Sequence, residues 1–232
     1  MRWRSIHAPS RRQSRLASAL VGLGYRKEPA EKAADFQRAE QLLAQALATS
    51  PGDPLAHRVK GALLRLERRC EEAIPEFEIA LAADRNDPPI LVFLSMCKYS
   101  TGGSDQEAIA LIEQAIRLSP RDPSRWSWYT LIGYVHLLQS RIDEAIAWLE
   151  KGRSAQPRGH APYFALAAAY GLKGEKERAR ADLAEAQRLI GSDRYSTIAR
   201  LRANADFYTP ALRDRWETVY FSGMRAAGMP EE

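Results

Sequence analysis

Apolar side chains recur along this chain at the spacing of one helix face, and the whole pattern then repeats. The copies are centred on Arg38-Ala39-Glu40, Glu72-Ala73-Ile74, Glu107-Ala108-Ile109, Glu144-Ala145-Ile146 and Arg178-Ala179-Arg180. Their alanines are 34, 35, 37 and 34 residues apart. A near-constant period of this length predicts one supersecondary unit repeated in tandem.

Each copy predicts the same amphipathic helix. A large apolar residue stands four places after each alanine and a small one seven places after it, so all three share one face. A proline or glycine twelve places after the alanine ends the helix in four of the five copies. The large residues are Leu43, Phe77, Ile112, Leu149 and Leu183, and the small ones are Ala46, Ala80, Ala115, Gly152 and Ala186.

In repeats two to five, another helix is predicted on the amino-terminal side of the helix just described, and it is the first helix of each pair. Twelve or thirteen residues before the alanine, a small residue lies inside another helical apolar pattern, at Gly61, Ser95, Gly133 and Ala167. Small side chains allow two helix backbones to approach closely, with the large residue filling the groove to the next unit. Since one hairpin cannot bury its apolar face alone, the pattern predicts an all-α array of about five stacked hairpins over residues 31–191.

These positions resemble the tetratricopeptide repeat, which has small residues at its eighth, twentieth and twenty-seventh places and a large apolar residue at its twenty-fourth. The resemblance covers roughly Ala34–Gly191, with short insertions around Gly102-Gly103 and before Trp126. It implies a right-handed superhelical solenoid of helix hairpins. It also implies a non-catalytic scaffold that binds proteins or peptides.

The sequence after Gly191 departs from the repeat, and residues 192–232 are predicted to be capping helices. Thr209-Pro210 is a good helix start, with threonine as the cap and proline in the first turn. The helix then has one apolar stripe, and such a helix covers the last repeat of an array or, alternatively, binds a partner. The stripe consists of Leu212, Trp216, Val219, Tyr220 and Met224.

Residues 193–201 and 223–231 resemble the carboxyl end of the repeat regions attached to bacterial class III adenylate/guanylate cyclases, and similar regions follow winged-helix regulators. The resemblance implies an alternative function, a regulatory or sensory fragment of such a signalling protein. It implies no cyclase activity, because the matching residues lie in the non-catalytic part.

The net charge of +5 belongs to the start of the chain. Residues 1–27 hold seven of the 34 basic residues and none of the 29 acidic ones, so the remainder carries 27 bases against 29 acids. This balance argues against a nucleic-acid-binding fold. Residues 1–30 are therefore interpreted as a basic leader, either a flexible tail or a first helix over Ser14–Tyr25.

We expect a bacterial cytoplasmic protein. Export directed by the leader is the alternative, since Ser10–Leu16 resembles a twin-arginine signal, with Ser14 at a position where that signal has an apolar residue.

The sequence offers no chemistry of catalysis. Its four histidines lack metal-ligand spacing, and it has neither a phosphate-binding loop nor a nucleophile elbow. Cys70 and Cys97 are predicted to be reduced thiols. The longest uncharged early stretch, Leu16–Tyr25, is half the length of a membrane span. We therefore expect no enzyme activity, catalytic residue, cofactor, metal or small-molecule substrate, and no membrane span.

The resemblance also implies a partner-binding groove, lined by the second, fifth, ninth and twelfth places of each first helix. A terminal-carboxylate clamp would need lysine at the fifth place and asparagine at the ninth, and no unit has that pair. The lining instead predicts an extended or helical protein segment with aliphatic anchors and an acid, unless the aromatic residues are packing residues. The predicted groove residues are Arg58, Arg65, Met96, Tyr99, Thr130, Tyr134 and Phe164.

Overall fold

The computed structural model describes residues 8–24, 29–191, 193–204 and 209–232, and these residues contain helices and no strand. The predicted all-α, helix-hairpin repeat class is confirmed. The helices are α1 (Ala8–Gly24), α2 (Pro29–Thr49), α3 (Pro54–Leu66), α4 (Cys70–Ala83), α5 (Pro88–Ser100), α6 (Asp105–Leu118), α7 (Arg125–Leu138), α8 (Ile142–Ala155), α9 (His160–Lys173), α10 (Lys176–Ile190) and α11 (Ile198–Asn204). The last helix, α12, is continuous over Arg213–Arg215, a π-helical turn Trp216–Tyr220, and Phe221–Ala226.

The chain divides into two compact units, an amino-terminal unit, Met1–Lys98, and a carboxyl-terminal unit, Tyr99–Glu232. The helix ends follow the sequence signals. Helices α2, α6 and α8 each end two residues before a predicted proline stop, at Pro51, Pro120 and Pro157. Helix α10 ends at Ile190, and the next residue, Gly191, has a φ of 60°, a left-handed conformation that glycine adopts most easily.

The amino-terminal unit includes the segment for which the sequence allowed two interpretations, a flexible tail or a first helix. Residues 8–24 form α1, which packs against α2 and α3. The buried Ser14 hydroxyl donates a hydrogen bond to Asp53 Oδ2 at 2.9 Å, and Asp53 also caps α3. Residues 1–7 and Tyr25, the predicted end of that helix, lie outside the described residues.

The small and large positions of the repeat pack directly on each other within a hairpin. The ring of Phe77 fills the space beside Gly61, where a Cβ would lie 2.7 Å from Cε1 of the ring. Leu149 covers Gly133 in the same way. Each of these glycines thus leaves its gap within its own hairpin, and the ring of Phe77 also meets Phe93 of α5 in the next hairpin, with centroids 6.0 Å apart, as the sequence predicted.

The carboxyl-terminal unit is built around α9. Its residues Phe164–Gly171 are all buried, because α9 is covered by α8 and α10 on one side and by α12 on the other. Helix α12 also reaches α7, the first helix of the preceding repeat. The segment beyond the repeats therefore lies against the first helices of the last two hairpins.

The start of this last helix differs from the prediction. Residues 210–212 form a turn, and the helix begins at Arg213. The Thr209 hydroxyl does not cap it but donates a hydrogen bond to the Ser100 carbonyl oxygen at 2.7 Å. The predicted apolar stripe is confirmed by burial at Leu212, Trp216, Tyr220 and Met224, while Val219 is half-buried.

Candidate functional site

The first three predicted groove residues lie on α3 and α5 of the amino-terminal unit. Arg58 is partly exposed, and its guanidinium donates to Asp87 Oδ2 at 2.8 Å. This ion pair satisfies the charge of Arg58 within the chain. Of the two arginines that the sequence suggested as a pair, Arg58 is therefore the less available to an acidic ligand.

Arg65 has a different environment. Its guanidinium lies over the ring of Phe93, 4.6 Å from the centroid, in a cation–π contact. Among the residues that the structure describes, Arg65 forms no ion pair, and its buried Nε has no hydrogen-bond acceptor. A guanidinium carries five N–H donors, so Arg65 is a pre-positioned cation with donors to offer.

The remaining surface near Arg65 is apolar. Phe93 and Met96 are three residues apart on α5, which places them on the same helix face, and both are half-buried. Phe93 in turn packs against the buried ring of Phe77, with centroids 6.0 Å apart. Arg65, Phe93 and Met96, with Arg58 beside Asp87, form what we call the arginine face.

In the carboxyl-terminal unit, the predicted groove residues are covered by other side chains of the same unit. Tyr134 of α7 packs against Trp216 and Tyr220, with ring centroids 6.1 and 5.7 Å apart. Phe164 of α9 is only 3% exposed and meets Tyr195 edge to face. These two rings lie in a groove between α7 and α9 that other side chains of the same unit fill, namely Tyr195, Trp216 and Tyr220.

Tyr99 and Thr130 are also inaccessible. Tyr99 is 4% exposed within the core of this unit. The Thr130 hydroxyl donates to the Trp126 carbonyl oxygen at 2.7 Å and lies against Gly152 of α8, inside its own hairpin. The expectation of an open surface at Tyr99, Thr130, Tyr134 and Phe164 is therefore corrected, and their role in partner binding stays a prediction. For Tyr134 and Phe164 it requires the covering side chains to move, and for Thr130 it requires its own hairpin to open.

The tyrosines of this filled groove are uncharged at neutral pH. Burial raises the pKa of Tyr134 to about 12, and burial with the nearby Asp105 carboxylate raises the pKa of Tyr99 to about 12. The pKa of Tyr220 is raised well above its usual value by burial and by Tyr134. Burial and the nearby Arg194 lower the pKa of His160. The ring contacts in the groove are therefore made by neutral side chains, and an ion pair of Arg215 of α12 with Asp105 of α6, at 2.7 Å, also joins the segment to the repeats.

Two glycines that sequence reasoning passed over set the closest approach in this groove. A Cβ on Gly171 of α9 would run into the carbonyl oxygen of Gly223 of α12, and a Cβ on Gly223 would run into the Ala168 carbonyl oxygen. The available signal was the run Phe164–Gly171, which has no charged residue. A helix that is apolar on every side is covered on every side.

The described residues contain neither a cluster of metal-ligand side chains nor a helix that could span a membrane. Within them, no group of three histidine, cysteine or acidic side chains is placed to hold a metal ion. None of the described helices is long and apolar enough to cross a bilayer. Neither cysteine is in a disulfide; Cys97 is fully buried and Cys70 is half-buried.

The two cysteines should differ in reactivity. The adjacent Cys70 thiol and burial both raise the pKa of Cys97, and the thiolate is the nucleophilic form. We expect iodoacetamide at neutral pH to alkylate Cys70 at least about tenfold faster than Cys97, as measured by mass spectrometry of peptides after timed labelling. In urea-unfolded protein the two rates should converge; equal rates in the folded protein would contradict the burial of Cys97.

Comparison with known proteins agrees with the repeat pattern. Residues 30–88 and 106–160 match a family model of the tetratricopeptide repeat. Among curated proteins, no sequence relative of the chain was found. The resemblance of the carboxyl end to cyclase-attached regions gains no support from these comparisons.

Solved structures share the fold. PilW, a type IV pilus biogenesis factor, superposes with a TM-score of 0.67 at 18% identity, covering 92% of this chain and 88% of its own. PilF of Pseudomonas aeruginosa has a TM-score of 0.64 at 18% identity, covering 92% and 91%. YrrB, a TPR protein with an unusual peptide-binding site, has a TM-score of 0.54 at 17% identity, covering 75% and 86%. At these identities the likeness establishes the fold alone.

Proposed function

We propose that this protein, which has the tetratricopeptide-repeat fold, is a non-catalytic scaffold that binds a segment of a partner protein on its arginine face. Proteins with this repeat generally mediate protein–protein interactions. The observation that favours the arginine face is the environment of Arg65, a half-buried cation held on Phe93 without an acidic partner among the described residues. YrrB, which has the same fold, is described as having a peptide-binding site.

The ligand that fits this face has one carboxylate and aliphatic neighbours. A carboxylate can accept charge-assisted hydrogen bonds from Arg65, which are stronger than neutral ones. Aliphatic side chains beside the acid can pack on Phe93 and Met96, which are half-buried and apolar. The ligand needs no free carboxyl terminus, since the lysine and asparagine of the terminal-carboxylate clamp are missing from every repeat.

This proposal is tested with matched synthetic peptides. A helical 15-residue peptide with one Glu flanked by leucines on the same face is compared with its Glu→Gln counterpart. We expect the wild-type chain to prefer the Glu peptide about tenfold, because a charge-assisted hydrogen bond to Arg65 is worth roughly 1.5–3 kcal/mol. Arg65→Met keeps the apolar stem and should abolish this preference, as measured by fluorescence anisotropy.

The control variant is Arg38→Met, which removes an exposed arginine from α2 of the same unit. It should keep the full preference for the Glu peptide. Raising the salt concentration should weaken the Glu peptide more than the Gln peptide, since only the former pairs with a charge. Equal affinity of the wild-type chain for both peptides would refute the assignment of an acidic ligand to the arginine face.

The alternative function is that of a regulatory part of a cyclase-type or winged-helix signalling protein. It is supported only by the resemblance of residues 193–201 and 223–231. An in-frame catalytic or winged-helix domain in the coding sequence before Met1 would favour it. The cytoplasmic location also stays a proposal, which fractionation of a tagged chain tests.

A further inference from the structure

The filled groove between α7 and α9 is a second binding face, separate from the arginine face. We infer that residues 209–232 are its resident ligand, and that the groove fits a partner helix bearing an aromatic stripe and a glycine at the crossing point. The inference rests on the proposed function only in treating the chain as a protein binder. It concerns other residues and has its own test.

The contacts are those of a helix in a groove. Leu212, just before α12, and Trp216, Tyr220 and Met224 within it follow one another at intervals of four residues, and all four are buried. Trp216 and Tyr220 meet Tyr134, which stands at a ligand-facing place of a first helix according to the repeat resemblance. Anchors on one stripe of an amphipathic helix are the usual recognition elements of helix-in-groove binding.

The groove is shaped for a glycine of its occupant. The three atoms nearest to a Cβ on Gly171 all belong to Gly223 and Ala227 of the covering segment, and none belongs to the repeats. The closest approach at Gly171 is thus made by the occupant of the groove. By contrast, Gly133 gives room to Leu149 inside a hairpin.

The covering segment is internally connected and is joined to the repeats by the Arg215–Asp105 ion pair, but its fit in the groove has one defect. Arg202 of α11 and Glu217 of α12 form a bidentate ion pair at 2.7 and 3.0 Å, and the Ile198 N–H donates to the Pro230 carbonyl oxygen at 2.9 Å. In the groove, however, the buried Trp216 Nε1 has no acceptor among the described residues. An unsatisfied buried N–H opposes docking, so a partner helix that avoids this defect can compete with the segment.

The two glycines allow the segment and the groove to be tested separately. In a full-length Gly223→Ala chain the segment no longer fits, while the groove is unchanged. In a Gly171→Ala chain the added Cβ blocks the groove, so that Gly223 of the segment can no longer approach α9. The probe is a fluorescein-labelled synthetic peptide of residues 209–232 with the natural sequence, and its binding is followed by fluorescence anisotropy.

We expect the peptide to bind the Gly223→Ala chain at least about tenfold more tightly than the wild-type chain, whose groove is occupied. It should not bind the Gly171→Ala chain, although hydrogen exchange should show residues 209–232 released there and α9 still protected. A peptide carrying Gly223→Ala should bind none of the chains. Leu172→Ala, at the partly exposed neighbour of Gly171, should behave as the wild type.

Two results would overturn the inference. If Gly171→Ala and Gly223→Ala both unfold the carboxyl-terminal unit, with loss of helicity and of α9 protection, the segment is an integral part of the fold. If the Gly223→Ala chain stays folded with its segment released but does not bind the peptide, the groove has no affinity for such a helix. Neither result affects the arginine face, whose test depends on Arg65 and on acidic peptides.

Discussion

Gly133→Ala is expected to destabilise the carboxyl-terminal unit, although alanine is the better helix former. The added Cβ would lie 2.5 Å from Cγ and 2.6 Å from Cδ2 of Leu149, and 3.3 Å from the carbonyl oxygen of Ala145. Leu149 is fully buried and cannot move aside without disturbing the core. Overpacking of this kind costs about 1–3 kcal/mol, which exceeds the roughly 1 kcal/mol that alanine gains over glycine in a helix. Urea unfolding followed by circular dichroism measures the loss.

The control is the same substitution in a helix with free space. A Cβ at Gly22 of α1 meets nothing within 4 Å, so Gly22→Ala should raise the free energy of unfolding by up to about 1 kcal/mol. A second check is the double variant Gly133→Ala with Leu149→Ala, in which the clash is absent. Its destabilisation should be smaller than the sum of the two single effects, whereas additive effects would show that the two residues do not interact.

The hairpin contacts could be predicted from the sequence because both partners lie in the repeating pattern. Gly61 and Phe77 are separated by one turn between two helices, and the same spacing recurs at Gly133 and Leu149. The period itself therefore identifies the small and large members of each pair. The predicted contact of the large residue with the next unit is present at Phe77, whose ring meets Phe93.

The occupant of the groove could not be predicted in this way. Gly171 and Gly223 touch across about fifty residues of chain, and no repeated spacing links them. The stripe on α12 predicts a buried face without specifying which surface covers it. The uncharged run of α9 indicates that this helix is covered, but it does not identify the segment that covers it.

The arginines of the first face illustrate the same limit. Arg58 and Arg65 occupy equivalent faces of α3, so the pattern made them a pair. Asp87, just before α5, forms an ion pair with Arg58, whereas Phe93, on α5, makes the cation–π contact with Arg65. The difference depends on the packing of α3 against α5, which the period implies without specifying which side chains meet.

Phe77→Ala is expected to destabilise the amino-terminal unit by about 3–5 kcal/mol, the usual cost of deleting a buried phenylalanine ring. Phe77 has no exposed surface, and its ring fills the gap at Gly61 while supporting Phe93. Ile79→Ala, on the same helix at a side chain that is 44% exposed, should cost less than about 1 kcal/mol. Hydrogen exchange of α3 and α4, with urea unfolding of the whole chain, separates the two variants; equal effects would contradict the packing of Phe77 on Gly61.

The same substitution connects the core to the proposed function. Because Arg65 is held on Phe93 and Phe93 is held by Phe77, removing the Phe77 ring should loosen the cation even where the unit stays folded. Phe77→Leu keeps most of the buried volume but not the aromatic contact with Phe93. It should therefore weaken the preference for an acidic peptide more than its modest loss of stability explains. If Phe77→Leu leaves that preference unchanged, Phe93 alone is sufficient to position Arg65.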